Sequence, residues 1–284
     1  MNFETRRYPV PGGISVAADV GGDSSHPCVI LQHGGGQTRH SWGGAMRELV
    51  ARGYHVINLD ARGHGESDWS PDANYSLEAL AADLRAVIAT LDSKPALVGA
   101  SMGGATSLYT VGSAETPIAT ALVMVDVTPR VNMEGAAKIG AFMRARPEGF
   151  ASLEEVADAV AAYNPHRPRP KDISGLMKNL RVRDGRLFWH WDPKFLRSPQ
   201  RLEPPAFAEV LLQAAERVRV PTLLVRGMQS DIVSQEGIAE FQQRLPALEV
   251  CDVSGAGHMV AGDKNDAFNQ GVLAFLQRHL PAKR

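Results

Sequence analysis

The stretch Gly99-Ala100-Ser101-Met102-Gly103-Gly104 follows the apolar run Ala96 to Val98 and precedes a helix-period segment, Met102 to Val111. G-x-S-x-G between a strand and a helix puts a serine on a sharp turn with its hydroxyl exposed. Side chains at 99 and 103 would crowd such a turn, so Gly99 and Gly103 have a steric task, and Ser101 is expected in a strained conformation.

Further short, unalternating apolar runs lie at Cys28 to Gln32, His55 to Leu59, Ala121 to Val125 and Thr222 to Val225. Such runs suit strands of a parallel sheet buried on both faces. Helical patterns at Trp42 to Arg52, Leu77 to Leu91 and Met102 to Val111 alternate with them, which gives an α/β fold with helices on both faces of a mostly parallel sheet. Ser76 is placed to cap the second of these helices. Phe3 to Val10 and Gly13 to Val20 read as an antiparallel pair joined at Pro11-Gly12-Gly13.

The alternation stops after Val127 and resumes at Val220, leaving roughly 90 residues with no sheet-like run, too long for a plain loop. We read 1–127 and 205–284 as a core domain and 128–204 as a helical cap inserted after the sixth strand. Helical patterns fall at Leu153 to Tyr163, Leu176 to Leu180 and Pro205 to Val218; Asn164 to Lys171 is too proline-rich to be regular.

Two acidic turns and one histidine turn complete the motif set. Asp231 follows the strand Thr222 to Val225, and His258, in Gly255-Ala256-Gly257-His258, follows Glu249 to Val253. The order Ser101, Asp231, His258 matches a nucleophile, its orienting acid and its base. Asp126, at the end of Ala121 to Val125, is the competing acid. Serine is a poor nucleophile near neutral pH, so His258 must take its proton, and the acid orients the imidazole. Asp60 and His64, in Asp60-Ala61-Arg62-Gly63-His64-Gly65-Glu66-Ser67, and His33 are expected to fix loops rather than move protons.

With His33-Gly34-Gly35-Gly36 after the third strand, the Asp60 to Ser67 loop, the serine elbow and the Asp and His turns, the chain resembles the α/β-hydrolase superfamily. The resemblance is to its cap-bearing group of esterases, haloperoxidase-like proteins that need no cofactor, and lactonases. It implies an oxyanion hole from the backbone N–H groups of Gly35 and Met102, and hydrolysis of a carboxylic ester through an acyl-enzyme. Lactone, other acyl or C–C hydrolysis and perhydrolysis use the same site, and a ligand-binding receptor with a silent triad is the alternative from another class. Gly36, Trp42, Phe142, Trp189, Trp191 and Met259 are the candidate substrate-binding residues.

Thirty Lys plus Arg against 31 Asp plus Glu give a formal charge of -1, so no global field recruits nucleic acid or an anionic membrane. The expected partner is a small, largely uncharged ester, bound by a monomer or homodimer. The two cysteines form no ligand set and the histidines lack helical zinc spacing, so no metal or other cofactor is expected. Neither a secretory h-region nor an apolar run of about 18 residues is visible, which places the protein in the cytoplasm as an expectation.

Overall fold

The computed structural model describes residues 3–163, 169, 171–258 and 265–282, the side chains of the last stretch from 270 onward. An eight-stranded sheet is built from β1 (Glu4–Val10), β2 (Ile14–Gly21), β3 (Cys28–Gln32), β4 (His55–Leu59), β5 (Ala96–Ala100), β6 (Ala121–Val125), β9 (Thr222–Gly227) and β10 (Leu248–Val253). Its order is β1-β2-β4-β3-β5-β6-β9-β10. β1 and β2 pair antiparallel with each other, β2 pairs antiparallel with β4, and every other pairing is parallel. Every residue of β3, β4 and β6 is buried, which is why these strands read as continuous apolar runs.

Helices cover both faces. On one face α2 (Leu77–Ile88), α3 (Met102–Gly112), α6 (Pro204–Arg217) and α7 (Gln235–Arg244) bury Leu84, Val87, Leu108, Leu211 and Phe241 against the sheet. On the other, α1 (Gly43–Ala51) and α8 (Asn265–His279) enclose Met46, Leu49, Phe275 and Leu276. Ser76 caps α2 as expected, accepting from the Ala79 N–H at 3.1 Å. Among the described residues no helix is long and apolar enough to cross a membrane.

Between β6 and β9 the chain leaves the sheet. It forms α4 (Met133–Arg144), capped by Asn132, then α5 (Leu153–Tyr163), a short 3-10 turn, and a two-stranded antiparallel sheet of β7 (Leu180–Arg183) and β8 (Arg186–Trp189). This corrects the expectation of an insertion without strands, while the helical pattern read at Leu176 to Leu180 falls on the 3-10 helix Ser174–Asn179, with Leu180 opening β7. Asp184 and Gly185, at φ 49° and 72°, make the tight turn of that hairpin, with both residues in the left-handed region that two-residue hairpin turns require. Most of Asn164 to Lys171 lies outside the described residues.

Candidate active site

A parallel sheet gathers the turns at the carboxyl ends of its strands along one edge. Ser101 leaves β5 there with φ 47° and ψ -111°, a backbone conformation that costs an L-residue on the order of 1–3 kcal/mol. Two close approaches hold it. A Cβ on Gly99 would come within 2.3 Å of the Gly103 carbonyl carbon, and one on Gly103 within 2.6 Å of the Gln32 carbonyl oxygen. Helix α3 therefore packs directly onto the strand ends, and Ser101 stands between β5 and α3 with its N–H donating to the Val125 carbonyl at 3.0 Å.

β6 runs beside β5 in register, so Asp126 emerges next to Ser101. Asp126 is fully buried and accepts three hydrogen bonds. The Gly227 N–H donates to Oδ1 at 2.9 Å, while the Ser230 hydroxyl, at 2.5 Å, and the His258 Nδ1–H, at 2.8 Å, donate to Oδ2. Donors on both oxygens fix the carboxylate in orientation. Donation from Nδ1 leaves His258 Nε2 with its lone pair, and among the described residues Nε2 makes no hydrogen bond. Ser101 Oγ and His258 Nε2 are not hydrogen-bonded to each other here; bonds of this kind tighten as substrate is bound.

The acid assignment from motif order is therefore corrected: Asp126, not Asp231, holds the histidine. The Asp231 side chain is 56% exposed and stands 3.9 Å from the Lys138 ammonium of α4. The residue that the turn after β9 directs at the histidine's partner is Ser230, one position earlier, and neighbouring turn residues point in different directions. Sequence reading missed Ser230. Its Oγ also accepts from the Ile232 and Val233 N–H groups at 3.1 and 3.2 Å, so it ties the β9 turn to Asp126.

The His33-Gly34-Gly35-Gly36 turn lies against the nucleophile, since a Cβ on Gly34 would sit 3.3 Å from Ser101 Cβ. The Gly34 N–H donates to Gln37 Oε1 and the Gly36 N–H to His64 Nε2, whereas among the described residues the Gly35 N–H has no acceptor. Met102 occupies the first position of α3, where an N–H has no intrahelical partner. Those two unspent donors are the pair expected from the sequence.

Three buried histidines brace this corner. His33 Nε2 accepts from the Ala61 N–H at 3.0 Å and its Nδ1–H donates to the Gly34 carbonyl at 2.8 Å. His64 Nδ1–H donates to the Arg62 carbonyl at 3.2 Å. His190, from the insertion, accepts the Gly65 N–H on Nδ1 at 2.7 Å. Each needs one bare ring nitrogen, so each works only as neutral imidazole. Burial holds all three below the ordinary histidine range, His64 far below and His190 at about 3. Asp60 is buried; burial pushes its carboxyl up, but the Arg39 guanidinium and the N–H groups of Arg39 and Glu66 act against that, and it lies below the usual carboxylate range. Asp60, His33 and His64 thus fix loops.

The expected substrate wall divides. Trp42 is 1% exposed and packs with Met46 and Leu49 on the face of the sheet covered by α1 and α8, so it is a core ring and that expectation is corrected. Trp191 is 4% exposed, stacks on Trp189 with ring centres 5.1 Å apart and donates its indole N–H to the Met143 carbonyl at 3.3 Å. Trp189 and Phe142 are partly buried and, with Met102, pack against the cluster of Tyr75, Met143, Trp191 and Phe195. Met143, which neighbours Phe142 in the sequence, lies beside Gly35 and Gly36. Gly36 is committed to the histidine bracing, and Met259 lies outside the described residues. Trp191→Ala should lower stability by about 3–5 kcal/mol, the usual result of emptying a buried aromatic site. Trp189→Ala should instead change the ranking of short, long and aromatic esters, as a panel of KM values beside melting curves will show.

Residues 27–264 match the family model described as the alpha/beta hydrolase fold. The chain belongs to the α/β-hydrolase family. This α/β-hydrolase is 29% identical over 276 residues to a mouse sn-1-specific diacylglycerol lipase, which spans 90% of this chain and 82% of that protein. It is 31% identical over 263 residues to an esterase of Mycobacterium tuberculosis, spanning 89% and 83% respectively. Among solved structures, E-2-(acetamidomethylene)succinate hydrolase superposes with a TM-score of 0.85 at 25% identity, over 97% of this chain and 100% of that one.

Proposed function

We propose that this α/β-hydrolase cleaves a carboxylic ester of a small, largely uncharged substrate, with Ser101 as nucleophile, His258 as base and Asp126 as orienting acid. The observation that carries this reading is the 2.8 Å bond from His258 Nδ1 to the buried Asp126 carboxylate, beside a serine held at φ 47°. The names of the esterase and lipase relatives support the same bond type.

In this mechanism Ser101 Oγ attacks the ester carbonyl carbon as His258 Nε2 takes its proton. The oxyanion forms against the Gly35 and Met102 N–H groups, each such donor contributing roughly 3 kcal/mol to the transition state. The intermediate collapses to an acyl-serine, and His258 returns the proton to the departing alcohol. Water then attacks with His258 again as base, Ser101 is restored and the acid leaves. Asp126 stabilises the imidazolium in both halves without itself taking a proton. Phe142, Trp189, Met102 and Met143 offer an apolar wall with no charge to pair, which suits an uncharged acyl or alcohol group.

The test is turnover of p-nitrophenyl esters of increasing acyl length by the wild type and by Ser101→Ala. The variant should lose roughly 10^4-fold or more in kcat while folding normally. Comparable activity in the two proteins would remove Ser101 from the chemistry.

A further inference from the structure

Gly36 is the residue next to the proposed oxyanion donor Gly35, and both of its peptide groups are held by imidazoles from elsewhere in the chain. Its N–H donates to His64 Nε2 at 3.1 Å, and its carbonyl accepts from the His190 Nε2–H at 3.3 Å. His64 belongs to the loop after β4, but His190 comes from the insertion, 154 residues along the chain from Gly36. Both rings are buried, at 0% and 2% exposure, with ring centres 5.7 Å apart.

The insertion grips this corner at other points too. The Asp192 N–H donates to the Gly63 carbonyl at 2.9 Å, Arg181 to the Gly65 carbonyl at 2.8 Å, and the Thr38 hydroxyl to Asn179 Oδ1 at 3.1 Å. The Tyr75 hydroxyl donates to Asp192 Oδ2 at 2.5 Å. This side of the insertion is riveted to the loops behind the nucleophile, and among the described residues His190 is the one insertion residue that hydrogen-bonds the neighbour of a proposed oxyanion donor.

We propose that His190 is a positioning residue through which docking of the insertion sets the oxyanion hole. It clamps Gly36 jointly with His64 and so aims the Gly35 N–H at the reacting carbonyl oxygen. The inference rests on the ester-hydrolase reading above. Gly35 has no side chain to lock its conformation, so its N–H direction depends on neighbours that are themselves held. An oxyanion donor acts only when it is pre-aimed at the charge that develops, so misaiming it lowers kcat while leaving ground-state binding intact.

The two nitrogens of His190 do separate jobs, and two amide variants separate them. His190→Asn places an oxygen near Nδ1 to accept from Gly65 but falls short of Gly36, whereas His190→Gln reaches the Gly36 carbonyl with its amide nitrogen and gives up Gly65. Positioning predicts that His190→Asn loses about tenfold or more in kcat on a p-nitrophenyl ester with KM within about twofold, and that His190→Gln keeps most of its kcat. Amide hydrogen exchange over residues 33–37 should quicken in His190→Asn and stay near wild type in His190→Gln. Wild-type kcat in His190→Asn, unchanged exchange there, or kcat losses that follow melting temperature equally in both variants would overturn the proposal. Exchange needs no substrate, so it decides the clamp even if the wild type turned over no ester, a result that would count against the ester reading alone.

Discussion

Asp126→Asn should lower kcat by about 10^4-fold, the scale expected when a triad acid becomes an amide and the histidine adopts the wrong tautomer. The amide fits the same volume, and its oxygen can still accept from the Gly227 N–H. Its NH2 group then faces His258 Nδ1, which can meet it only as an acceptor. The imidazole proton moves to Nε2, and the nitrogen meant to deprotonate Ser101 is no longer basic. Asp231→Asn, on a side chain 56% exposed beside Lys138, should stay within about twofold of wild type, as surface changes away from a site do. Initial rates and thermal melts of both variants check this together. A severe loss in Asp231→Asn with a mild one in Asp126→Asn would restore the assignment drawn from motif order.

The second large effect is on stability in acid. His33, His64 and His190 are held neutral by burial, and each accepts a backbone N–H that a protonated ring would repel. Their folded-state pKa values lie below the unfolded value of about 6.5, so the unfolded chain binds more protons once pH falls under that value. Stability is therefore fully present above about pH 6.5 and is lost as pH falls, for His190 down to about pH 3. Each histidine contributes a slope of up to about 1.4 kcal/mol per pH unit, and only over the interval between its unfolded and folded values. Asp60, held low, adds to the loss only below the ordinary carboxylate range. Urea midpoints at pH 7.5, 6.0 and 5.0 should fall steeply, and His64→Gln should remove about one proton's share of the slope. A flat profile would mean that these rings protonate in place.

Much of the fold was legible because buried parallel strands leave continuous apolar runs: β3, β4 and β6 have the expected bounds. The elbow was legible because backbone contacts, Gly99 against Gly103 and Gly103 against Gln32, leave room for glycine alone at both positions. The β7–β8 hairpin was missed although Asp184-Gly185 is a strong turn signal, since its strands carry Arg181, Arg183 and Arg186 and lie outside the main sheet. The acid was misassigned because chain order records which turns meet at the sheet edge, not which side chain in a turn faces inward. At β9 the inward residue is Ser230, and the carboxylate comes from the neighbouring strand end. Trp42 was misplaced for a related reason, as a ring near the start of a helix carries no mark of which face of the sheet it will meet. His190 is recognisable only once the insertion is folded back onto Gly36 and Gly65.

The central claim is that Asp126 and His258 make Ser101 a nucleophile, and covalent labelling tests it most directly. A small fluorophosphonate should add one adduct to the wild type, located on Ser101 by peptide mass spectrometry. Its labelling rate should fall by orders of magnitude in His258→Ala and Asp126→Asn and stay near wild type in Asp231→Asn. An unlabelled Ser101 in the folded wild type, or equal labelling rates in wild type and Asp126→Asn, would contradict the account.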